Sequence, residues 1–280
     1  MAYDAEGYTI VEPAVGSRLV YVSQSTGSDS NDGLTTGTPK QTFASAMLLI
    51  RPAQPDWLLL KCGDTWSENL NYKGYGASGS ERSVITSYGS GARPIIKNSR
   101  LKNMEVNSGN CCILGIDLYA SFNDPDSADF GLGTSVEVAI QNISNANQNI
   151  LIEDCVIRFY SSACHLRRKV GHATGMVFRR NIVTNSLKFG VLPNSLDGGI
   201  IEENMFDKCG WDARTNKLHS IYAHDCIGDT IFRNNILSRS GNYGVKCSTD
   251  TEDSFLDFEI SDNFFYKSAI GLDHSGGATG

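Results

Sequence analysis

Leu151-Ile-Glu-Asp-Cys-Val-Ile157, Val177-Phe-Arg-Arg-Asn-Ile-Val183, Ile200-Ile-Glu-Glu-Asn-Met-Phe206, Ile231-Phe-Arg-Asn-Asn-Ile-Leu237 and Glu259-Ile-Ser-Asp-Asn-Phe-Phe265 are five versions of one heptapeptide. Aligned on the fifth residue they give Cys155, Asn181, Asn204, Asn235 and Asn263, with apolar residues at −3, +1 and +2 each time. The offsets between them are 26, 23, 31 and 28 residues, a period typical of stacked repeats. Asn is one of the few residues that tolerates a left-handed or bridge conformation, so each Asn is expected to turn a corner between two short strands. Asn side chains brought into register by stacking can also hydrogen-bond from one repeat to the next.

A second element follows each heptapeptide: Ala163-Cys-His-Leu-Arg167, Gly190-Val-Leu-Pro-Asn194, Ser220-Ile-Tyr-Ala-His224, Gly244-Val-Lys-Cys-Ser248 and Ala269-Ile-Gly-Leu-Asp273. The first residue is small and the second apolar. Strand alternation then turns Cys164/Leu166, Val191/Pro193, Ile221/Ala223, Val245/Cys247 and Ile270/Leu272 inward. The pattern predicts an all-β chain, a parallel β-helix solenoid in which each repeat is one coil. The length divided by this period predicts roughly ten coils. Two segments exceed the period, Cys209–Leu218 and the acidic, turn-rich Ala120–Gly133. Excess residues in a solenoid coil emerge as loops, often on the binding face.

The first half reads differently. Arg18–Val22 is a strand, Ser25–Gly33 is a dense turn, and Asp56–Asp64 is a strand running into a turn. Thr38 and Pro39 have N-cap and N1 chemistry, and Phe43, Ala46, Met47 and Ile50 form an apolar stripe ending before Pro52. A capping helix over about 39–51 is therefore expected. Ser83–Thr86, Arg93–Ile96 and Cys112–Leu118 are further strands. Residues 1–17 then form an N-terminal extension and 18–280 a single domain.

The run Tyr21-Val-Ser, Gly27-Ser-Asp-Ser-Asn-Asp-Gly33, Pro39, Thr42 and Ala46, followed by Gly63-Asp64 and Ser80, Val84-Ile85, resembles the opening of right-handed parallel β-helix proteins of the pectate-lyase-like superfamily. The later Asn-centred coils resemble it as well. The resemblance implies a short helix shielding the first coil. It also implies the activities that this fold carries, which include lyases, hydrolases, epimerases and phage tailspike proteins.

Composition agrees with many turns between short strands. The chain has 280 residues, with 28 Gly, 21 Asn and only 7 Pro; 40% is hydrophobic and 20% charged. A net charge of −7 argues against a nucleic-acid partner, whose phosphates call for a basic face. Arg167, Arg168 and Lys169 form one short basic run, most simply a solvated loop. No apolar stretch approaches the about 20 residues that span a bilayer, so no membrane partner is expected. The N-terminus MAYDAEGYTI has no secretory leader pattern, which leaves an extracellular or virion-associated location to a trimmed chain. The eight cysteines form no CxxC pair and read as buried thiols.

The outward positions of the second element form two ladders. One holds His165, Leu192, Tyr222, Lys246 and Gly271; the other holds Arg167, Asn194, His224, Ser248 and Asp273. Coils stack about 4.8 Å apart, so these side chains form one strip suited to a polysaccharide partner. Aromatic residues such as Tyr222 and Trp211 suit stacking on sugar rings, and Lys246 and Arg167 suit pairing with carboxylates. β-Elimination from a uronate polymer needs a base, an acid and a group that neutralises the carboxylate. His224 or Lys246 suits the first role, Tyr222 the second and Arg167 the third. His165, Asn194, Trp211, Arg214, His219 and Asp273 are candidate substrate contacts. Alternation turns His219 toward the interior, where a hydrogen-bonded core His is the competing reading. Glycoside hydrolysis instead needs two carboxylates roughly 5–9.5 Å apart, with Asp197, Asp212, Asp225 and Asp273 as candidates. The remaining alternative is a non-catalytic glycan-binding or structural module, such as a phage tail or surface adhesin.

No cofactor is expected. Asp29, Asn31 and Asp32 are oxygen-rich enough for Ca²⁺ but lack EF-hand spacing, and a turn held by Asx hydrogen bonds is the simpler reading. The C-terminal Ser275–Gly280 brings no evident cap, and an uncovered solenoid end predicts a homo-oligomer or a longer natural chain.

Overall fold

The computed structural model describes residues 2–72, 74–97, 101–102, 109–133, 135, 137–144, 148–168, 171–211, 218–249 and 258–274. Among the described residues the strands form three parallel sheets of nine, eight and seven members. Each strand of a sheet pairs with its counterpart one coil away, as in Leu151↔Val177, Val177↔Ile200 and Ile200↔Ile231. The first sheet contains Ile150–Glu153, Ala173–Arg179, Leu196–Glu202 and Thr230–Arg233; the second contains Val156–Arg158, Ile182–Thr184, Met205–Asp207 and Ile236–Ser238. The third runs through Leu101–Lys102, Val138–Ser144, Ser162–Arg168, Phe189–Asn194, His219–His224, Tyr243–Thr249 and Ile270–His274. The chain is thus an all-β parallel solenoid of about seven three-stranded turns. That is fewer than the coil period suggests, because residues 2–18, the segment 23–56 that carries the helix, and the 120–133 excursion contribute no strand to the three sheets.

The asparagine ladder forms as expected, but the corner lies one residue earlier. Asp154, Arg180, Glu203, Asn234 and Asp262 carry the positive φ values, between 53° and 59°. The next residue faces inward and binds its neighbours. Asn204 Oδ1 accepts from the Asn181 backbone N–H at 2.9 Å and from Asn181 Nδ2 at 3.1 Å. Asn204 Nδ2 donates to the Phe178 carbonyl at 2.9 Å and to Asn235 Oδ1 at 3.0 Å. Asn235 repeats these bonds with Asn263 and with the Ile201 carbonyl. Buried backbone groups that turning strands leave unpaired are satisfied in this way.

The three sheets enclose one apolar column. Ile152, Phe178, Ile201 and Phe232 meet Ile157, Val183, Phe206 and Leu237 from the second sheet and Cys164, Val191, Ile221 and Val245 from the third. Phe178 and Phe206 stack at 6.2 Å. Burying side chains of this size contributes about 1.5–3 kcal/mol each. No disulfide joins the eight cysteines, and Cys155, Cys164, Cys209, Cys226 and Cys247 lie in the column. Burial pushes the Cys155, Cys209, Cys226 and Cys247 thiols up to about 12. Ile270, expected inside, is 47% exposed; it belongs to the last described strand of its sheet, and among the described residues no further strand pairs beyond it.

The helix is shorter than its apolar stripe, spanning only Phe43–Met47. Its N-cap is Thr42, whose hydroxyl accepts from Ser45 N; Lys40, next to Pro39, is instead held in an extended bridge to Val22. Phe43 and Ala46 enter the column beside Val20, and Phe43 stacks on Trp66 at 5.2 Å. Residues 2–12 lie along the outer face of the first sheet. Thr9 N donates to Glu153, and Gly7 O accepts from Arg179, whose guanidinium lies 4.7 Å from the Tyr3 ring centre. Val11 packs on a second apolar cluster of Trp57, Leu59, Val84, Cys112, Leu151 and Val177.

Candidate functional site

Register brings the two outward ladders of the third sheet together. His165 pairs with Leu192 and Arg167 with Asn194; Asn194 pairs with His224, and Tyr222 and His224 with Lys246 and Ser248. Arg167 and Arg168 therefore stand on the strand Ser162–Arg168 rather than in a solvated loop, and Lys169 lies outside the described residues. Asp273 pairs with Ser248 through its backbone, and its side chain is outside the described set. Arg214 and Asp212 also lie outside the described residues.

Three groups meet at the centre of the strip. The His224 Nδ1 lies 2.9 Å from Asp225 Oδ2 and 3.3 Å from Asn194 Nδ2. Asp225, in the left-handed turn that ends the strand (φ 49°), also accepts from Thr249 Oγ1 at 3.1 Å. With Nδ1–H donating to the closer Asp225 carboxylate, Nε2 is left as the acceptor nitrogen, and the Asn194 amide lies beside Nδ1 without bonding to it. Ser248 Oγ donates to Tyr222 Oη at 3.1 Å, so the phenol proton is directed elsewhere. Lys246 Nζ sits 5.5 Å from the centre of the Tyr222 ring, and the Tyr222 and His224 rings are 5.8 Å apart.

His219 does not join Ile221 in the core, although alternation points it there. Its ring lies 5.2 Å from Tyr222, 6.1 Å from Phe189 and 5.5 Å from Tyr243. The reason is the small residue that opens each strand. A Cβ at Gly190 would lie 2.7 Å from Phe206 Cδ1, and one at Gly244 would lie 2.9 Å from Phe265 Cε1. The small residue therefore faces the column together with its apolar successor, and the pairing skips it, as in Phe189↔His219 and Val191↔Ile221. The residue before it is thrown to the outer side. Phe189, His219 and Tyr243 consequently form an aromatic ladder beside Tyr222. His219 is only 2% exposed and its Nδ1 has no hydrogen-bond partner among the described residues. Burial, with the Lys246 charge nearby, presses its pKa down to about 4.

His165 reaches this group through Phe189, 6.3 Å away. Trp211 does not: it is 46% exposed and its indole donates to Asn185 O at 3.1 Å, at the turn beyond Ile182–Thr184. Asp197 lies exposed on the first sheet, around the corner from the strip. Phe189, Tyr243 and the pairing of Asp225 with His224 are features that sequence reasoning missed. The available signal was the aromatic residue that precedes Gly190, Ser220 and Gly244. Among the described residues no group of three or more His, Cys, Asp or Glu is arranged to hold a metal ion. In the Asp29 turn, Asp29 accepts from Gln41 N, Thr42 N and Thr42 Oγ1, and Asp32 from Leu34 N and Thr38 Oγ1. Those oxygens are spent on donors of the chain itself.

No family model matches the chain, and no curated protein matches it. Solved structures do. A complex of XylC with xylose superposes with a TM-score of 0.69 at 11% identity, over 91% of this chain and 63% of that one. The chain thus spans less than two thirds of that protein's length. The GH136 lacto-N-biosidase from Eubacterium ramulus matches with a TM-score of 0.51 at 12% identity, over 91% of this chain and 68% of that one. A rhamnogalacturonan lyase matches with a TM-score of 0.50 at 13% identity, over 92% of this chain and 87% of that one. At such identities the likeness establishes the fold: the chain is a parallel β-helix solenoid. Its structural neighbours are carbohydrate-active β-helix proteins, and they share its architecture rather than its sequence.

Proposed function

We propose that the chain cleaves a uronate-containing polysaccharide by β-elimination along the third sheet. The observation that carries this reading is the meeting, on two adjacent coils, of a carboxylate-oriented imidazole, a phenol and an ammonium group. His224 Nε2 removes the proton α to the uronate carboxylate. Lys246 and Arg167 neutralise the carboxylate, which makes that proton acidic enough to leave. Tyr222 gives its proton to the departing glycosidic oxygen, with Ser248 holding the phenol oxygen. The C–H electron pair becomes the new C=C bond as the C–O bond breaks, so no water or cofactor enters the step. The carbohydrate-active neighbours support a saccharide substrate.

The test is incubation with a panel of uronate and neutral polysaccharides, recording ultraviolet absorbance of unsaturated ends alongside new reducing ends. Elimination produces both, whereas reducing ends alone indicate hydrolysis and binding without products indicates an adhesin. In an active protein, His224→Ala is expected to lower kcat by about 10²–10⁴-fold, the usual contribution of a positioned base. Activity that survives both His224→Ala and Lys246→Ala overturns the assignment of the strip.

A further inference from the structure

The acidic excursion that follows Asp117–Tyr119 has no part in the chemistry proposed above, yet it builds a cavity. Phe122 and Asp129 of the excursion, with Ser67, Glu68, Asn69 and Lys97, line a solvent-open cleft of about 420 Å³. Its framework strands, Thr65–Trp66, Ile95–Lys97 and Asp117–Tyr119, are neighbours in the second sheet, so the cleft belongs to a different sheet and earlier coils than the strip.

The walls are fixed in place. Asp129 Oδ2 accepts from Lys97 Nζ at 2.6 Å and from Ser121 Oγ at 2.7 Å. Asp124 accepts from Tyr119 Oη at 2.6 Å, and Asn123 Nδ2 donates to Phe159 O at 2.8 Å. The Phe122 ring lies against the backbone of Gly133, where a Cβ would stand 2.3 Å from Cε2. Across the cleft, Glu68 Oε1 accepts from Phe43 N at 3.1 Å, which anchors that carboxylate to the start of the helix. Walls ordered in advance remove much of the entropic cost of binding.

We propose that this cleft is a second saccharide site, specific for neutral sugar units. Two carboxylates are fixed acceptors for sugar hydroxyl donors, and Asn69, Ser67 and Lys97 supply donors. Phe122 offers an apolar ring at the wall on which the C–H face of a pyranose can lie. The cavity falls within the range of about 300–1,000 Å³ usual for small-ligand sites, enough for one or two sugar units. With two carboxylates against one ammonium, already paired to Asp129, the lining repels a uronate. The strip, carrying Lys246 and Arg167, has the opposite preference. A polymer of mixed neutral and acidic sugars would thereby be held at two sheets of one solenoid.

The test is calorimetric titration of the full chain with neutral tri- and tetrasaccharides of glucose, galactose and xylose, and in parallel with uronate oligomers. The expected result is saturable binding of a neutral oligosaccharide that Lys246→Ala leaves unchanged. Phe122→Ala and Asn69→Ala should each weaken it at least about tenfold, the scale of one well-placed contact. Asn69 is exposed and outside the excursion, so its variant keeps the test valid if Phe122→Ala disturbs the loop. Uronate binding should show the reverse dependence. No binding of any neutral oligosaccharide at millimolar concentration, or binding indifferent to both cleft variants, overturns the proposal. Loss of elimination activity alone would bear only on the strip.

Discussion

Asn181, Asn204, Asn235 and Asn263 occupy the same place in successive coils, and so do Asn194, His224 and Ser248 on the third sheet, but the two ladders treat that equivalence differently. In the first, every side chain is the same type and faces the interior. Each oxygen accepts from the coil before, and each amide nitrogen donates within the stack. In the second, the residue type changes at every rung; Asn194 Nδ2 and His224 Nδ1 lie 3.3 Å apart, and the bonds leave the ladder, from His224 to Asp225 and from Ser248 to Tyr222. Uniformity satisfies a backbone need that recurs with each coil. Heterogeneity has no such need to meet, and its groups are the ones we propose act on a ligand.

The sharpest way to break this contrast is to remove one rung from each ladder. Asn204→Ala deletes the acceptor for the buried Asn181 N–H and Asn181 Nδ2, together with the donor to Phe178 O. An orphaned buried polar group costs about 1–3 kcal/mol, so the loss of stability should reach about 3–5 kcal/mol. Denaturant midpoints with an unchanged m-value would record it. Ser248→Ala in the other ladder should cost under about 1 kcal/mol, since its bond is to the Tyr222 hydroxyl on the outer side of the sheet. Equal losses at both positions would refute the division between structural and chemical ladders.

His219 tests the boundary between the two, because it is as buried as the asparagines but lies among the strip's rings. Its pKa in the folded chain is about 4, below the ordinary 6.5. Between these values the unfolded chain binds a proton that the native chain does not. Stability therefore falls as pH drops from 6.5 to about 4, by up to about 3 kcal/mol, and this contribution is flat on either side. Asp29, Asp56 and Asp64 are held below the ordinary 3.8, and their contribution is lost only at lower pH. His219→Phe should extend the Phe189–Tyr243 ladder and remove the slope across that upper window. A wild-type stability that does not change between pH 6.5 and 4 would contradict the burial of this imidazole.

The solenoid was legible because its rule is periodic: an apolar residue at −3 and +1/+2 around Asn, then a small residue followed by an apolar one. What the period conceals is which of two adjacent residues bends. The left-handed positions hold Asp154, Arg180, Glu203, Asn234 and Asp262, types with no common preference beyond polarity, so the more obvious Asn drew the assignment. The same short-range ambiguity inverted His219. Simple alternation cannot register that Gly190 and Val191 both face the column, a fact decided by the space left beside Phe206. The expected helix over 39–51 is longer than the observed one for a related reason, since Ile50 continues the apolar stripe after the helix has ended at Met47. His224, Tyr222, Lys246 and Arg167 could be put on one strip from register alone. The Asp225 partner could not, because it acts from a turn that leaves the strand.

The smallest expected effect comes from Lys246→Ala, and its smallness has two opposing sources. Removing the ammonium gives up its contact with the Tyr222 ring, worth about 0.5–1 kcal/mol at a partly exposed site. It also removes the charge that, after burial, most depresses His219. At pH 7, where His219 is neutral in both folded and unfolded chains, only the first loss counts, and stability should fall by under about 1 kcal/mol. Near pH 5 the unfolded chain is protonated at His219, and the milder depression in the variant returns part of that loss. The two stability curves should therefore converge as pH falls from 6.5 toward 4. Denaturation of both proteins at pH 7 and pH 5 measures that convergence, and parallel curves would show that the Lys246 charge does not reach the His219 ring.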